Sequence, residues 1–283
     1  MELWYSENHT ENIKLSLKIR EHIYSKQSKY QKIDIIDSFE FGKVLILDGV
    51  IMCSEFDEYI YHEMMVHIPM AASYIQNVLI IGGGDGGILR EIAKYSHIKN
   101  IDMVEIDSLV VEICKKYLPS IASDFDDSRL NLYYEDGIKF IRQKQNEYDL
   151  IIVDSTDPFG PGEVLFTKEF YSNCNNALKN GGIMINQMES PFYKQDAKEA
   201  RLAYSKIKAI FPNALAYQAH IPTYPSGHWL FGFSYKGELK PIEKEWDSYF
   251  IKTKYYTKKL QQGAFMLPKY VLELLNSKEN WYG

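Results

Sequence analysis

The run Val78-Leu79-Ile80-Ile81-Gly82-Gly83-Gly84-Asp85-Gly86-Gly87 decides the reading of this chain. Four apolar residues in succession predict a buried strand, and the glycines after them predict a tight turn that opens a helix. Gly82, Gly84 and Gly87 keep the G-x-G-x-x-G spacing of a nucleotide-binding loop. Glycine lets the backbone turn sharply and lets a ligand approach it closely. The usual occupant of such a loop is a dinucleotide, with its pyrophosphate at the helix N-terminus. Asp85 argues against that occupant, because a carboxylate inside the loop repels a pyrophosphate. The expected ligand is instead an adenosine compound with a cationic tail, with Asp85 facing it.

Outward from this loop the chain alternates strands and helices. Strands are predicted at 78–81, 101–104, 130–133, 150–153 and 183–186. Helices are predicted at 88–95, 108–117, 137–144, 168–178 and 196–211. This is the order of a doubly wound α/β sheet, a Rossmann-like fold. Two further strands, 214–219 and 229–235, and a helix near 268–275 follow. Upstream, residues 57–69 carry Tyr61, Met64, Met65 and Ile68 at helical spacing, with Pro69 near the helix end. The first 56 residues read as a small all-β domain. Ile13, Leu15, Leu17 and Ile19 alternate with polar residues, 32–37 forms a second strand, and Asp48-Gly49 turns between two apolar runs as a hairpin does. The chain therefore divides into an N-terminal β domain, 1–56, and a Rossmann-like catalytic domain, 57–283.

In an open α/β sheet, ligands bind beyond the carboxyl ends of the strands. Acids stand at four successive ends: Asp85; Glu105 with Asp107; Asp136 before Gly137; and Asp154 with Asp157 in Asp154-Ser155-Thr156-Asp157-Pro158. Each has a structural reading when taken singly. Asp136 suits a helix N-cap, and Asp157 before proline suits a turn. Four in a row point to one ligand. A carboxylate only accepts hydrogen bonds, so Glu105 suits a ribose diol. Asp136, with a backbone N–H beside it, suits the adenine edge. Asp85 and Asp154 are left over the reacting part, where negative charge stabilises a sulfonium and amines.

Composition limits the alternatives. The 283 residues are 46% hydrophobic and carry a formal net charge of -6, which disfavours nucleic acid and suits cationic substrates. The three cysteines, Cys53, Cys114 and Cys174, form no C-x-x-C pair and read as reduced core thiols of a cytoplasmic protein. The N-terminus has neither the basic nor the apolar region of a signal peptide. No run approaches the ~18 apolar residues of a membrane span. The histidines show no metal-ligand spacing, so no metal is expected.

These motifs together resemble the polyamine aminopropyltransferases, and most closely the bacterial spermidine synthases. The resemblance runs almost end to end. It is carried by Leu3-Trp4-Tyr5, Leu47-Asp48-Gly49, Tyr61-His62-Glu63-Met64, the glycine loop, Val104-Glu105-Ile106-Asp107, Asp154-Ser155-Thr156-Asp157-Pro158, Gly160-Pro161, Ile221-Pro222-Thr223-Tyr224 and Ala264-Phe265-Met266-Leu267-Pro268. It implies transfer of an aminopropyl group from decarboxylated S-adenosylmethionine, as co-substrate, to a diamine such as putrescine, with no further cofactor. It implies that Gln31, Gly82, Gly84, Glu105, Asp136, Gly137 and Pro161 hold the nucleoside, and that Asp85 holds the aminopropyl amine. Asp154 is then the proton acceptor, with Tyr61 and the backbone near Ser155 orienting the nitrogen. Tyr61, Asp157, Gln187 and Tyr224 line the diamine channel, with His62 nearby at the polyamine site and Trp4 over the channel's far end. Family members form homodimers or homotetramers. The loop after Asp157 is expected to order over both ligands as a lid.

Three other classes share part of the pattern. An S-adenosylmethionine methyltransferase shares the loop, Glu105 and Asp136, but would set Asp85 against the ligand carboxylate. An NAD-dependent oxidoreductase conflicts with an acid in the loop. A non-catalytic polyamine sensor has no need of Asp154, Asp157 and Tyr61 together.

Overall fold

A computed structural model of the protein describes residues 2–155, 165–240 and 251–277. The first five strands, β1 (Leu3–Thr10), β2 (Ile13–Gln27), β3 (Lys32–Ser38), β4 (Gly42–Leu47) and β5 (Val50–Ser54), pair in sequence order as one antiparallel sheet. At the β4–β5 turn Asp48 and Gly49 both have positive φ, 48° and 89°. Those are the signs that a two-residue hairpin turn matching strand twist requires. The strand β1 has no clear apolar alternation: its outer positions are exposed, and register with β2 defines it.

Next comes α1 (Glu58–Met70), whose apolar spacing predicts one buried stripe. Twelve of its thirteen residues are buried. Its apolar residues share one core with Ile33, Ile35, Leu45 and Leu47 of the first sheet and with strands of the larger sheet, so α1 is an interior helix, and its polar residues all need partners.

The second sheet has seven strands. In chain order they are β6 (Asn77–Gly82), β7 (Asn100–Val104), β8 (Leu130–Tyr133), β9 (Tyr148–Asp154), β10 (Leu178–Gln187), β11 (Asn213–His220) and β12 (His228–Tyr235), arranged 11-12-10-9-6-7-8. Strands β6 to β10 run parallel, and β11 and β12 add an antiparallel edge. Helices α2 (Gly87–Ala93), α3 (Ser108–Tyr117), α4 (Gly137–Ile141), α5 (Lys168–Ala177), α6 (Lys194–Lys208), α7 (Lys258–Ala264) and α8 (Lys269–Asn276) complete the described elements. The parallel strands are apolar on both faces. Val78, Ile80, Leu150 and Ile152 face a core shared with α1, α2 and α3. Leu79, Ile81, Ile151 and Val153 face a second core shared with α4, α5, α6 and α8.

The N-terminal sheet also uses both faces. Leu17, Ile19, Ile36, Val44, Ile46 and Ile51 form their own cluster. Ile33, Ile35, Leu45, Leu47 and Cys53 point the other way and join the main core. Cys53, Cys114 and Cys174 are free and buried. Among the described residues no helix is long and apolar enough to cross a membrane.

Candidate active site

The switch point of the seven-stranded sheet lies between β9 and β6. Here the chain passes from Gly82 into the glycine loop and from Asp154 into Ser155. A cavity of about 440 Å³ opens above these ends, roofed by β4, β5 and part of β1. The loop is shaped by its neighbours. Gly82 has φ 84°, and any side chain there would overlap the Asp154 carbonyl. A side chain on Gly87 would overlap the His62 ring. Asp85 folds back so that its Oδ1 accepts the Gly87 N–H at 2.7 Å. The N–H that would meet a phosphate in a dinucleotide site is thus already occupied by a carboxylate of the chain itself.

At one end of the cavity stand Gln31, Gly84, Glu105, Asp136 and Gly137. Asp136 caps α4 through Oδ1, which accepts the Ile138 N–H at 2.8 Å. Its structural reading therefore holds beside any ligand role. Glu105 is 8% exposed, and its Oε1 accepts the Asp107 N–H at 2.8 Å. Burial pushes its carboxyl up to about 7; the hydrogen bond from Asp107 N–H opposes this, and the Asp107 charge adds to it. The loop between β2 and β3 reaches over this end. Ser28 Oγ donates to Asp107 Oδ2 at 2.6 Å and Gln31 Nε2 at 3.3 Å.

At the other end the groups are charged and aromatic. Tyr61 donates its hydroxyl proton to Asp154 Oδ1 at 2.7 Å. Burial and the nearby Asp85 charge push the Asp154 carboxyl up to about 6, while His62 and Tyr61 pull it down. His62 lies with Nε2 at 3.4 Å from Asp85 Oδ2 and Nδ1 at 2.6 Å from Glu58 Oε2. Burial disfavours its charge, but the two carboxylates outweigh burial and raise it to about 10. Burial likewise works against Asp85 ionisation and loses to the His62 cation, so Asp85 stays below its usual value. One polar atom each of His62, Asp85 and Asp154 lie within 4.8 Å of one another. Two of these three groups are carboxylates that face the cavity.

The acceptor side is aromatic. The Tyr224 ring lies edge-on to Tyr61 at 6.1 Å and to Trp229 at 4.7 Å. Tyr224 spends its proton on the Met52 carbonyl at 2.7 Å, which leaves its oxygen as a hydrogen-bond acceptor. Gln187 accepts the Glu189 N–H at 3.0 Å, and Ser155 also lines the cavity.

The motif around α1 now reads position by position. Asp57 accepts from Ser54 Oγ at 2.6 Å and from Thr223 N and Oγ1 at 2.9 and 2.7 Å, tying the Ile221–Tyr224 turn to the helix start. Glu63 accepts three backbone N–H groups from Lys254, Tyr255 and Tyr256 at 2.7–2.8 Å.

Of the residues singled out in the sequence, Gln31, Tyr61, His62, Gly82, Gly84, Asp85, Glu105, Asp136, Gly137, Asp154, Ser155, Gln187 and Tyr224 line this one cavity. Trp4 does not line it in the single chain. Strand alternation points Trp4 outward, 55% exposed, while Glu7 on the opposite face of β1 is buried and enters the cavity. Asp157 and Pro161, with the proposed lid, lie outside the described residues. The sequence reading passed over Glu7, His9, Glu58, Glu189, Asp196 and Trp229, which also line the cavity. Glu7 accepts the Ile51 N–H at 2.8 Å, and His9 Nε2 lies 3.0 Å from Asp196 Oδ2. Of these, only Glu58 carried a sequence signal, its place four residues before His62 on a helix.

Comparison with known proteins agrees with this geometry. The spermine/spermidine synthase domain model matches residues 58–243, and the spermidine synthase tetramerisation domain model matches residues 3–55. A polyamine aminopropyltransferase of Alkaliphilus oremlandii (strain OhILAs) is 58% identical, covering 99% of this chain and 100% of its own length. One from Clostridium botulinum (strain Eklund 17B / Type B) is 57% identical with the same coverage. A crystal structure of spermidine synthase in complex with the transition state analogue AdoDATO superposes with TM-score 0.91 and 42% identity, covering 96% of this chain and 94% of that one. Spermidine synthase from Thermotoga maritima gives 0.89 and 41% with the same coverage. Full-length identity above half, on the same fold and with the motif residues gathered in one cavity, leaves no place for the methyltransferase and oxidoreductase readings: the chain belongs to the polyamine aminopropyltransferases, which transfer an alkyl group other than methyl.

Proposed function

We propose that this chain is a spermidine synthase, transferring the aminopropyl group of decarboxylated S-adenosylmethionine to putrescine. The observation that carries this reading is the division of one cavity into a polar end without a cation, at Glu105 and Asp136, and an acidic aromatic end, at Asp85, Asp154 and Tyr61. A nucleoside fits the first end, with the ribose diol on Glu105 and adenine at Asp136-Gly137 beside Gln31. The cationic tail reaches Asp85.

The chemistry is an in-line displacement. The nitrogen lone pair of the diamine attacks the carbon next to the sulfonium, the C–N bond forms, and the C–S bond breaks. Sulfur keeps the bonding pair and leaves as the neutral thioether of 5′-methylthioadenosine, so no acid is needed. The nitrogen must shed protons to attack and then to become a secondary amine. A primary amine of pKa ~10.4 is almost wholly protonated at neutral pH. Asp154 is the acceptor, oriented by the Tyr61 hydroxyl. Tyr224 accepts a hydrogen bond from the diamine, and Gln187 with the Ser155 backbone positions its near end. Glu7 and Glu189 supply negative charge to the cavity wall for the second ammonium. Asp157 and Pro161 are assigned to the diamine and the nucleoside on the sequence alone, and Trp4 to the channel end. Residues 1–56 are the assembling unit of a homodimer or homotetramer, 57–283 carry the catalysis, and the setting is cytoplasmic.

The test is to incubate the protein with decarboxylated S-adenosylmethionine and a panel of putrescine, cadaverine, agmatine and spermidine, and to weigh the products. The reading predicts spermidine with stoichiometric methylthioadenosine, fastest from putrescine. Faster transfer to another amine would reassign the acceptor, and no transfer to any amine would overturn the reading.

A further inference from the structure

Behind the cavity the buried charges continue in a line. His62 contacts Glu58 as well as Asp85. Glu58 is gripped by Arg90 in a two-point contact, Nη1 to Oε1 at 2.9 Å and Nη2 to Oε2 at 2.8 Å. Arg90 comes from the helix that the glycine loop opens, so the donor loop and the acceptor helix are joined through this pair. Glu58 and His62 are one helical turn apart on a helix buried all round. The imidazole cannot turn away, because its ring lies against Gly87.

Asp85 and Asp154 face the same space. Two like charges there favour neutralisation of one of them, and a protonated Asp154 can neither attract nor deprotonate an amine. Counting Asp85, Asp154 and Glu58 as negative and His62 and Arg90 as positive leaves a single net negative charge for the incoming ammonium. Without the charge on His62 the excess doubles.

We propose that Glu58, clamped by Arg90, is a positioning residue that keeps His62 an imidazolium, so that Asp85 and Asp154 both stay ionised to receive the cationic substrates. The proposal rests on the aminopropyl-transfer reading. The groups that bear on His62 are Glu58 and Tyr61 on its own helix, Asp85 in the glycine loop, Arg90 through Glu58, and Asp154 at the end of β9; the Asp85 charge also reaches the buried thiol of Cys53, which burial first of all keeps protonated.

The experiment uses full-length parent protein, Glu58→Gln, His62→Gln and the double variant. Single-turnover rates with limiting putrescine are followed across pH. Glu58→Gln is expected to move the acid limb alkaline by about 1–3 pH units. It is also expected to raise putrescine KM about tenfold at pH 7, a change of ~1.4 kcal/mol, while methylthioadenosine affinity stays within about twofold. His62→Gln should show the same shift, and the double variant no more than either single, because both changes act through loss of the imidazolium charge beside Asp85. Glu58→Asp should restore part of the parent profile. An unmoved limb in Glu58→Gln, or effects that multiply in the double variant, would overturn the proposal. His62 is also read directly in ligand-free parent protein by NMR of labelled histidine. Both ring nitrogens should stay protonated through pH 8, and a neutral ring at pH 7 would overturn the proposal even if Glu58→Gln fails to fold. That readout needs no turnover, so it separates this proposal from the reading of function.

Discussion

The two ends of the cavity each place a buried carboxylate at a strand end and surround it differently. Glu105 and Asp154 each end a parallel strand, and both are buried. Around Glu105 the partners are backbone N–H groups and another acid, Asp107, with no cation in contact among the described residues, and the carboxyl is pushed up to about 7. Around Asp154 stand a second acid, a phenol and an imidazole; burial and the Asp85 charge push the carboxyl up to about 6, and His62 and Tyr61 oppose them. On the proposed reading, the first end takes a neutral diol that donates hydrogen bonds, and the second takes cations, with His62 as the resident cation that holds its acids ionised. Strand ends place the acids; the neighbouring helix decides what each can bind.

The comparison breaks most sharply at Asp154. Asp154→Asn should lower kcat by roughly 10²–10⁴, since an amide cannot take the amine proton, and should leave methylthioadenosine titrations unchanged. Equal loss of nucleoside affinity would show that the two ends are not separable. The Glu105 end should instead respond through binding. Methylthioadenosine affinity should rise by up to about tenfold from pH 6 to pH 8 as Glu105 loses its proton, and Glu105→Gln should bind more weakly with a flat profile in calorimetry.

The same group makes a smaller mark on stability. Glu105 holds its proton more tightly in the folded chain than in the unfolded one. Its contribution therefore falls as pH rises from the ordinary glutamate range toward 7, and stays lost above. Ligand-free Glu105→Gln should melt several degrees higher than the parent at pH 8, with the gap closing toward pH 5. The smallest effect is expected at the aromatic wall. Trp229→Phe keeps a ring against Tyr224 and should raise putrescine KM only about two- to fivefold, with the donor KM unmoved.

Much of this was legible in the sequence because strand ends and glycine spacing are local signals. The glycine loop, Glu105, Asp136 and Asp154 each follow an apolar run that the chain itself marks. The resemblance added Tyr61, His62 and Tyr224, whose helix and turn carry no such mark alone. What was not legible comes from across the fold. Glu7 and Glu189 enter the cavity because β1 and the end of β10 meet there, and neither has a neighbour in sequence that announces it. On α1 the sequence marked Tyr61, Met64, Met65 and Ile68 at helical spacing, whereas the fold buries all of the helix but Tyr59. That burial makes Glu58 the partner of His62. Trp4 shows the reverse: its motif is clear, but alternation on β1 turns it away from the cavity of its own chain.

The central claim is that the glycine loop binds a cation where a nucleotide loop would bind a phosphate. Calorimetry of the parent protein and Asp85→Asn with decarboxylated S-adenosylmethionine, S-adenosylmethionine and methylthioadenosine tests it most directly. The account predicts that the parent prefers the decarboxylated donor by at least about tenfold, that Asp85→Asn removes most of that preference, and that methylthioadenosine binds both proteins alike. Equal affinity of the parent for the two sulfonium ligands, or a preference that survives in Asp85→Asn, would contradict it.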